Sequence, residues 1–148
     1  MSSTQYCTFL VGSLFFGVNV MRVQEVIRYQ QMTAVPLAPD EVGGLINLRG
    51  QIVTAVRMRK KLGMPDQDEG ELPMNIVLTG NHGPVSLLVD EIGDVLEVQS
   101  ESFETPPETI GDEVRDVISG IYKLKESLML VLDTERAISV HHEGKSAA

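Results

Sequence analysis

The stretch GGLINLRGQIVTAV, residues 43–56, predicts a β-hairpin made of two short apolar strands. Leu, Ile and Val dominate both flanks, and Gly50 stands where a tight turn needs a positive φ. A turn at Gly50-Gln51 pairs Leu48 with Val53, whereas a turn one residue earlier sets Leu48 against Gln51. Because apolar residues face apolar ones only in the first arrangement, we predict that register.

Arg49 lies at the bend of this hairpin. In the predicted register it shares a face with Asn47, while Ile46 and Leu48 point the other way into a core. Arg49 is either a solvated side chain or a planar fork aimed at a partner or an internal carboxylate. Glu25, which lies between Val23 and Val26 in the sequence, is the candidate carboxylate.

The pattern of the hairpin returns later in the chain. Residues 44–56 align without a gap on residues 120–132, which begin 76 positions later, and residues 20–27 align on residues 89–96, 69 positions later. Two matches in the same order at similar offsets indicate a tandem duplication of one β-rich unit, although two apolar strands can also look alike by chance.

Composition bounds the class of protein. With 148 residues, 43% hydrophobic content, 5% aromatic content and no Trp, the chain predicts a compact unit with an aliphatic core. Cys7 is the single cysteine, which excludes an internal disulfide and fits a reducing compartment. No apolar run approaches the roughly 20 residues of a membrane span. The net charge of −9 argues against nucleic acid as a partner.

Short strands separated by turn signals account for most of the chain, which is typical of small barrels and sandwiches. An acidic linker at residues 64–73 is predicted to divide the halves, and a second acidic stretch, residues 97–114, is predicted to be a long loop. A short basic helix is expected at residues 57–62.

Evidence for catalysis or metal binding is weak. Asp90, Glu91 and Asp94 are close in sequence, but no His stands near them, so a turn at a strand end is the simpler interpretation. His141 and His142 are adjacent and would diverge on a helix, whereas helical metal ligands are normally four residues apart. We expect no catalytic residue, no metal site and no cofactor.

Residues 44–53, GLINLRGQIV, resemble the G-x-x-N-L-R-G-x-I-V signature of the CheW family of chemotaxis coupling proteins. Three other stretches are similar to the same family: VQEVI at 23–27, LLVDEI at 87–92 and LVLD at 130–133. The resemblance extends from about residue 6 to residue 138.

The resemblance implies a mainly β fold, with two SH3-like five-stranded barrels around a shared aliphatic core and a few short helices. The whole chain, 1–148, would be one CheW-like domain. The first barrel is expected to hold residues 14–63 and a strand from the C-terminal part. The second is expected to hold residues 74–132 and the N-terminal strand, with a C-terminal helix at 133–140.

The resemblance also implies a function. Such a protein is a non-catalytic, cytoplasmic adaptor that links the cytoplasmic domain of methyl-accepting chemoreceptors to the regulatory domain of the histidine kinase CheA, and it is recruited to membrane-receptor arrays without inserting into the membrane. The alternative from another class is a small β-barrel that binds a metabolite in the groove near Arg49.

Carried over by position, the receptor-facing groove would be lined by residues of both halves, namely Val23, Glu25, Gly44, Asn47, Arg49, Val98 and Gly120. Exposed apolar character near hairpin ends, rather than a motif, suggests Leu14, Phe15 and Ile27 for the kinase-docking surface, with core packing as the alternative for each. Arg57 stands where the family usually has an acidic residue, and it opens a basic run that ends at Lys61. A solvated helix face and a retuned partner surface both fit that run.

Overall fold

The computed structural model describes residues 2–140, and within this range ten strands and a few short helices alternate along the chain. The strands are β1 (Ser3–Val11), β2 (Leu14–Asn19), β3 (Val23–Ile27), β4 (Val42–Leu48), β5 (Gln51–Arg57), β6 (Met74–Leu78), β7 (Val85–Val89), β8 (Glu91–Gln99), β9 (Ile118–Lys123) and β10 (Leu128–Leu132). The helices are α1 (Met58–Lys61), α2 (Asp112–Arg115) and α3 (Thr134–Ile138), with 3₁₀ turns at Val20–Arg22 and Ser100–Ser102.

The strands form two five-stranded sheets. The first sheet has the order β8-β1-β2-β10-β9, and the second has the order β3-β6-β7-β5-β4. Most neighbours are antiparallel, but β2 pairs with β10 and β5 pairs with β7 in parallel. The predicted fold class, mainly β with two five-stranded units, is therefore confirmed.

The predicted allocation of strands to the two units is wrong. Residues 14–19 were expected in the first barrel, and residues 74–89 in the second. The structure instead places β2 beside β10 in the first sheet, and it places β6 and β7 in the second sheet with β3, β4 and β5. Hairpin signals are local, whereas the parallel pairings join strands far apart in sequence, so the sequence pattern identifies the hairpins but not the sheet that receives them.

The two sheets share one plan, which supports the tandem repeat. In spatial order, β3, β6, β7, β5 and β4 of the second sheet correspond to β8, β1, β2, β10 and β9 of the first. The two strands of each corresponding pair are five strands apart in chain order. In each sheet an isolated bridge also pairs a loop residue with an edge strand, Thr33 with Leu45 on β4 and Glu104 with Ile121 on β9. Leu45 and Ile121 are 76 residues apart, which is the offset of the aligned hairpins.

The β4–β5 hairpin has a different register from the predicted one. Leu48 pairs with Gln51 and Ile46 pairs with Val53, so the two-residue turn is Arg49-Gly50. Both turn residues have positive φ, +52° and +86°, as in a type I′ turn. A type I′ turn matches the right-handed twist of the flanking strands. This preference outweighs the pairing of like residues and sets the register. Arg49 therefore stands in the turn itself and not on a strand face with Asn47.

The core is aliphatic, as the composition predicts. A large cluster between the sheets contains Val18, Val56, Ile76, Leu87 and Leu132, among others, together with the stacked rings of Phe9 and Phe16. Two smaller clusters belong to single sheets. Tyr6, Tyr122, Met129 and Val131 form the one in the first sheet, and Ile46, Leu48, Val53 and Val77 form the one in the second.

Several predicted segments are corrected in detail. The basic helix is shorter than expected, covering Met58–Lys61. The acidic stretch 97–114 is not one loop, because β8 runs to Gln99 and α2 begins at Asp112. The C-terminal helix covers Thr134–Ile138, capped by the Asp133 side chain, instead of 133–140. His141 and His142 lie outside the described residues.

An ion pair with a backbone donor ties the two sheets together. Arg59 lies in α1, directly after β5 of the second sheet. Its side chain donates to both oxygens of Asp90, at 3.0 and 2.7 Å. The N–H of Gly12, in the β1–β2 turn of the first sheet, donates to the same carboxylate at 2.7 Å. Burial raises the pKa of Asp90, but the hydrogen bonds from Arg59 and Gly12 and the charge of Arg59 outweigh it and lower that pKa.

We expect Asp90→Asn to lower the free energy of unfolding by about 2 kcal/mol at pH 7, between the values for exposed and fully buried pairs. Because the folded-state pKa of Asp90 is depressed, its contribution is present above the ordinary value of 3.8 and is lost as the pH falls below it. Urea denaturation across that range should show the gap between the two proteins closing as the pH falls.

Asp66→Asn is the matched control. Its carboxylate is 66% exposed and lies 3.9 Å from Lys60 Nζ, so the expected change is below about 0.5 kcal/mol. A gap for Asp90→Asn that stays constant between neutral and acid pH would contradict the assigned ion pair.

Candidate functional site

Arg49 and Glu25 form a two-pronged ion pair across the second sheet. Arg49 Nη1 donates to Glu25 Oε1 at 3.2 Å, and Nη2 donates to Oε2. Glu25 lies on β3 and Arg49 at the end of β4, and these are the two edge strands of the sheet. The predicted pairing of the two side chains is confirmed.

The ion pair fixes an exposed guanidinium. The Arg49 side chain is 68% exposed, whereas that of Glu25 is 21% exposed. The hydrogen bond from Arg49 lowers the pKa of the Glu25 carboxyl, and the same bond raises the pKa of Arg49. Both groups are therefore charged at neutral pH, and the guanidinium keeps N–H groups for a further acceptor.

Asn47 and Gly44 shape the hairpin that carries Arg49. The Asn47 side chain accepts a hydrogen bond from the Gly50 N–H at 2.8 Å, which holds the turn. Gly44 has φ +148°, and a Cβ there would lie 2.8 Å from the Thr33 carbonyl oxygen. Both residues thus position the site through the backbone.

Val23 opens β3, two residues before Glu25, and packs against the large core cluster. With Glu25, Gly44, Asn47 and Arg49 it belongs to the second sheet. The structure thus brings these five predicted residues onto the two edge strands of one sheet and the turn that follows one of them.

Val98 and Gly120 lie on the first sheet. Val98 pairs with Thr4 and packs against the Tyr6 cluster. Gly120 lies under the ring of Phe103, and a Cβ there would come within 2.1 Å of its Cζ. Within residues 2–140, no hydrogen bond, ion pair or strand pairing joins these two residues to the Arg49 group.

Phe103 is a surface residue that sequence reasoning missed. Its side chain is 41% exposed, covers Gly120 and meets Tyr122 edge-on with 5.5 Å between ring centroids. It lies in the stretch that was expected to be an acidic loop. The only sequence signal is an aromatic residue in an otherwise polar segment, next to Glu104, which bridges to β9.

The three residues suggested for kinase docking do not all belong to one cavity or one hydrophobic cluster of the described residues. Leu14 and Phe15 line a cavity of about 360 Å³ with Leu128 and Val114. Ile27 packs on the other sheet against the cluster of Ile46 and its neighbours. All three are half-buried.

The basic run is not a solvated helix face. Arg59 binds Asp90, and Lys61 donates to the backbone carbonyls of Arg136 and Ser139. Burial lowers the pKa of Lys61. Arg57 lines a cleft of about 280 Å³ with Tyr29, Leu88 and others.

Among the described residues, His, Cys, Asp and Glu form no group of three or more that could hold a metal ion. Within the Asp90–Asp94 group, the Asp90 carboxylate is occupied by its structural contacts with Arg59 and the Gly12 N–H. Over residues 2–140, none of the helices has the length and apolar character needed to cross a membrane.

The family model described as CheW-like domain matches residues 5–141. This chain belongs to the CheW-like family. The match covers both sheets and includes the Arg49–Glu25 pair, the N-L-R-G turn and the helix α3.

Relatives within the family carry consistent names. The chain is 31% identical over 131 residues to a probable chemotaxis protein CheW of Rhizobium etli, which covers 88% of this chain and 84% of the relative. It is 29% identical over 135 residues to the chemotaxis protein CheW of Klebsiella aerogenes, covering 91% and 81%. The crystal structure of the scaffolding protein TtCheW from Thermoanaerobacter tengcongensis matches the fold with a TM-score of 0.84 at 22% identity, covering 96% of this chain and 97% of that one.

Replacing Arg49 by Asn separates the turn from the ion pair. Asn-Gly is a preferred pair for a type I′ turn, so Arg49→Asn should keep the hairpin and the melting temperature. Loss of the hydrogen bond from Arg49 should return the Glu25 pKa towards 4.5, as measured by carboxyl ¹³C NMR titration. Arg57→Asn, which leaves the pair intact, should not move it. An unchanged Glu25 pKa in Arg49→Asn would refute the pair.

Gly120→Ala should destabilise the protein by about 1–3 kcal/mol, because the new methyl group collides with the ring of Phe103. In a Phe103→Ala background the same substitution should have almost no effect, so a double-mutant cycle by chemical denaturation measures the coupling. Gly111→Ala, whose methyl would meet open space, is the control. Additive effects of the two substitutions would show that Phe103 does not cover Gly120.

Proposed function

We propose that this protein is a non-catalytic adaptor that couples the cytoplasmic tips of chemoreceptors to the histidine kinase CheA. The observation that carries the proposal is the exposed guanidinium of Arg49, held in one place by Glu25. The family match and the names of the relatives, chemotaxis protein CheW and scaffolding protein, support the same role.

A fixed arginine suits recognition better than catalysis. Arg is enriched among the residues that dominate protein interfaces, and its planar fork selects carboxylate and amide acceptors. Much of the entropy that a free arginine loses on binding is already lost here, because the type I′ turn and Glu25 order the side chain before a partner arrives. No reacting group is needed for this role.

The receptor-facing surface has two parts. Val23, Glu25, Gly44, Asn47 and Arg49 form the part on the second sheet, and Arg49 is the residue that contacts the receptor. Val98 and Gly120 form the part on the first sheet, where Phe103 covers Gly120. The kinase would dock at the cavity lined by Leu14 and Phe15, with Ile27 as a further contact on the second sheet.

Weak single contacts suffice for such an adaptor. Receptor and kinase present many copies to each other in an array, so effective concentration multiplies modest affinities. The adaptor works in the cytoplasm and is recruited to membrane-receptor arrays through these contacts, with neither a cofactor nor insertion into the bilayer.

Purified receptor cytoplasmic fragment and kinase regulatory domain provide the test. We expect Arg49→Asn to weaken receptor binding at least about tenfold, a loss of about 1.4 kcal/mol, and to leave kinase binding unchanged in the same titration. Unchanged receptor binding by a folded Arg49→Asn protein would refute the proposal. A large thermal shift with a small metabolite, abolished by the same substitution, would favour a ligand-binding barrel instead.

A charge swap distinguishes direct contact from a structural role. The double variant Glu25→Arg with Arg49→Glu can rebuild the ion pair but moves the guanidinium to β3. If Arg49 contacts the receptor, binding stays lost although the melting temperature is retained. If the pair only closes the sheet, the double variant restores binding.

A further inference from the structure

A cleft of about 280 Å³ lies beside Arg57, the residue that opens the basic run. The acidic linker, residues 64–73, forms one wall of this cleft with Asp66, Gln67, Glu71, Leu72 and Pro73. The remaining lining comes from the rest of the chain, namely Tyr29, Met32, Arg57, Arg59, Leu88 and Asp90. The surfaces proposed above for receptor and kinase use none of these residues.

Arg57 is held in the cleft without a carboxylate partner. A Cβ at Gly43 would lie 3.3 Å from Arg57 Cγ and 3.4 Å from its Nε, so the missing side chain at Gly43 lets the arginine lie against β4. Arg57 is half-buried, and within residues 2–140 it takes part in no ion pair. A guanidinium that is partly removed from water and has no anion beside it favours the binding of a carboxylate.

The sign of the charge in the cleft depends on the acidic linker. Arg59 and Asp90 neutralise each other through their two-pronged contact, which leaves Arg57 as the uncompensated charge of the lining outside the linker. The two lining acids of the linker, Asp66 and Glu71, reverse that sign. The linker therefore gives the cleft an acidic wall that opposes the entry of any other anion.

Few contacts hold the acidic linker in this place. Arg59 Nη1 donates to the Pro65 carbonyl at 2.8 Å, and the Asp66 carboxylate lies 3.9 Å from Lys60 Nζ. Between residues 65 and 72 only Gln67 is half-buried, and the others are exposed. Because so little of the linker is buried, it can leave the cleft at a low cost in free energy.

We propose that the Arg57 cleft binds an acidic segment of a partner protein, and that the acidic linker competes with that segment from within the chain. A partner carboxylate takes the two-pronged contact with Arg57 that the linker acids do not make. An apolar side chain next to it in the partner packs on Tyr29, Met32 and Leu88. The cleft is separate from Arg49, so the outcome does not decide the proposed adaptor function.

A synthetic peptide with the sequence of residues 64–73 is the probe, added to the full chain. The linker variant carries four substitutions that keep the length of the linker and remove its charge, namely Asp66→Asn, Asp68→Asn, Glu69→Gln and Glu71→Gln. The tethered acids no longer compete in this variant. It should bind the peptide at least about fivefold more tightly than the unaltered chain, with saturable NMR shifts at Tyr29, Met32 and Leu88.

Two controls separate competition from bulk charge. A peptide with Asn and Gln in place of its acids should not bind the linker variant. The second control is a variant that raises the net charge by the same amount through acids outside the linker, none of which forms an ion pair among the described residues, namely Glu91→Gln, Asp94→Asn, Glu101→Gln and Glu108→Gln. An equal gain of affinity in this charge-matched variant would overturn the proposal.

Substitution of Arg57 in the linker variant completes the test. Arg57→Gln should weaken peptide binding at least about fivefold while the melting temperature is retained. Arg57→Lys keeps the charge but cannot make the two-pronged contact, so its affinity should fall between the two. Equal binding by both Arg57 variants and their parent, no gain in the linker variant, or no saturable shift up to about 1 mM peptide would each refute the assignment.

Discussion

The reciprocal exchange of strands between the two repeats is the constraint on which the rest of the structure depends. The β1–β2 hairpin completes a sheet with β8, β9 and β10, and the β6–β7 hairpin completes a sheet with β3, β4 and β5. Neither half of the chain can satisfy its own strand edges. The large aliphatic cluster lies between two sheets that both repeats have built, and the Arg59–Asp90–Gly12 contacts reinforce that junction.

The repeats are alike in plan but differ at the positions of Glu25 and Arg49. Positions equivalent to Glu25 and Arg49 in the second copy hold Asp94 and Lys125, which have the same charges. No ion pair joins those two within the part of the chain that the structure describes. The shorter side chain of Asp and the compact ammonium of Lys cannot form the planar two-pronged contact, so the second copy has no counterpart of the Glu25–Arg49 pair among the described residues.

Local signals in the sequence predict the hairpins, the irregular acidic linker before β6 and the pairing of Glu25 with Arg49. They fail where geometry or distance decides. The register of the central hairpin depends on Arg49 adopting a positive φ, which residue pairing does not reveal. The membership of each sheet depends on pairings between distant strands, and the ring of Phe103 reaches Gly120 through a bridge at Glu104 that no periodicity marks.

The position of β1 has a consequence for synthesis on the ribosome. All five strands of the second sheet lie before residue 90, so that sheet can assemble while the remainder of the chain is still being translated. The β1–β2 hairpin emerges earliest, yet its parallel neighbour β10 ends at Leu132. The β1–β2 hairpin must wait until residue 132 has been synthesised, which makes the first sheet the late, high-contact-order step of folding and leaves a nascent apolar hairpin in need of protection.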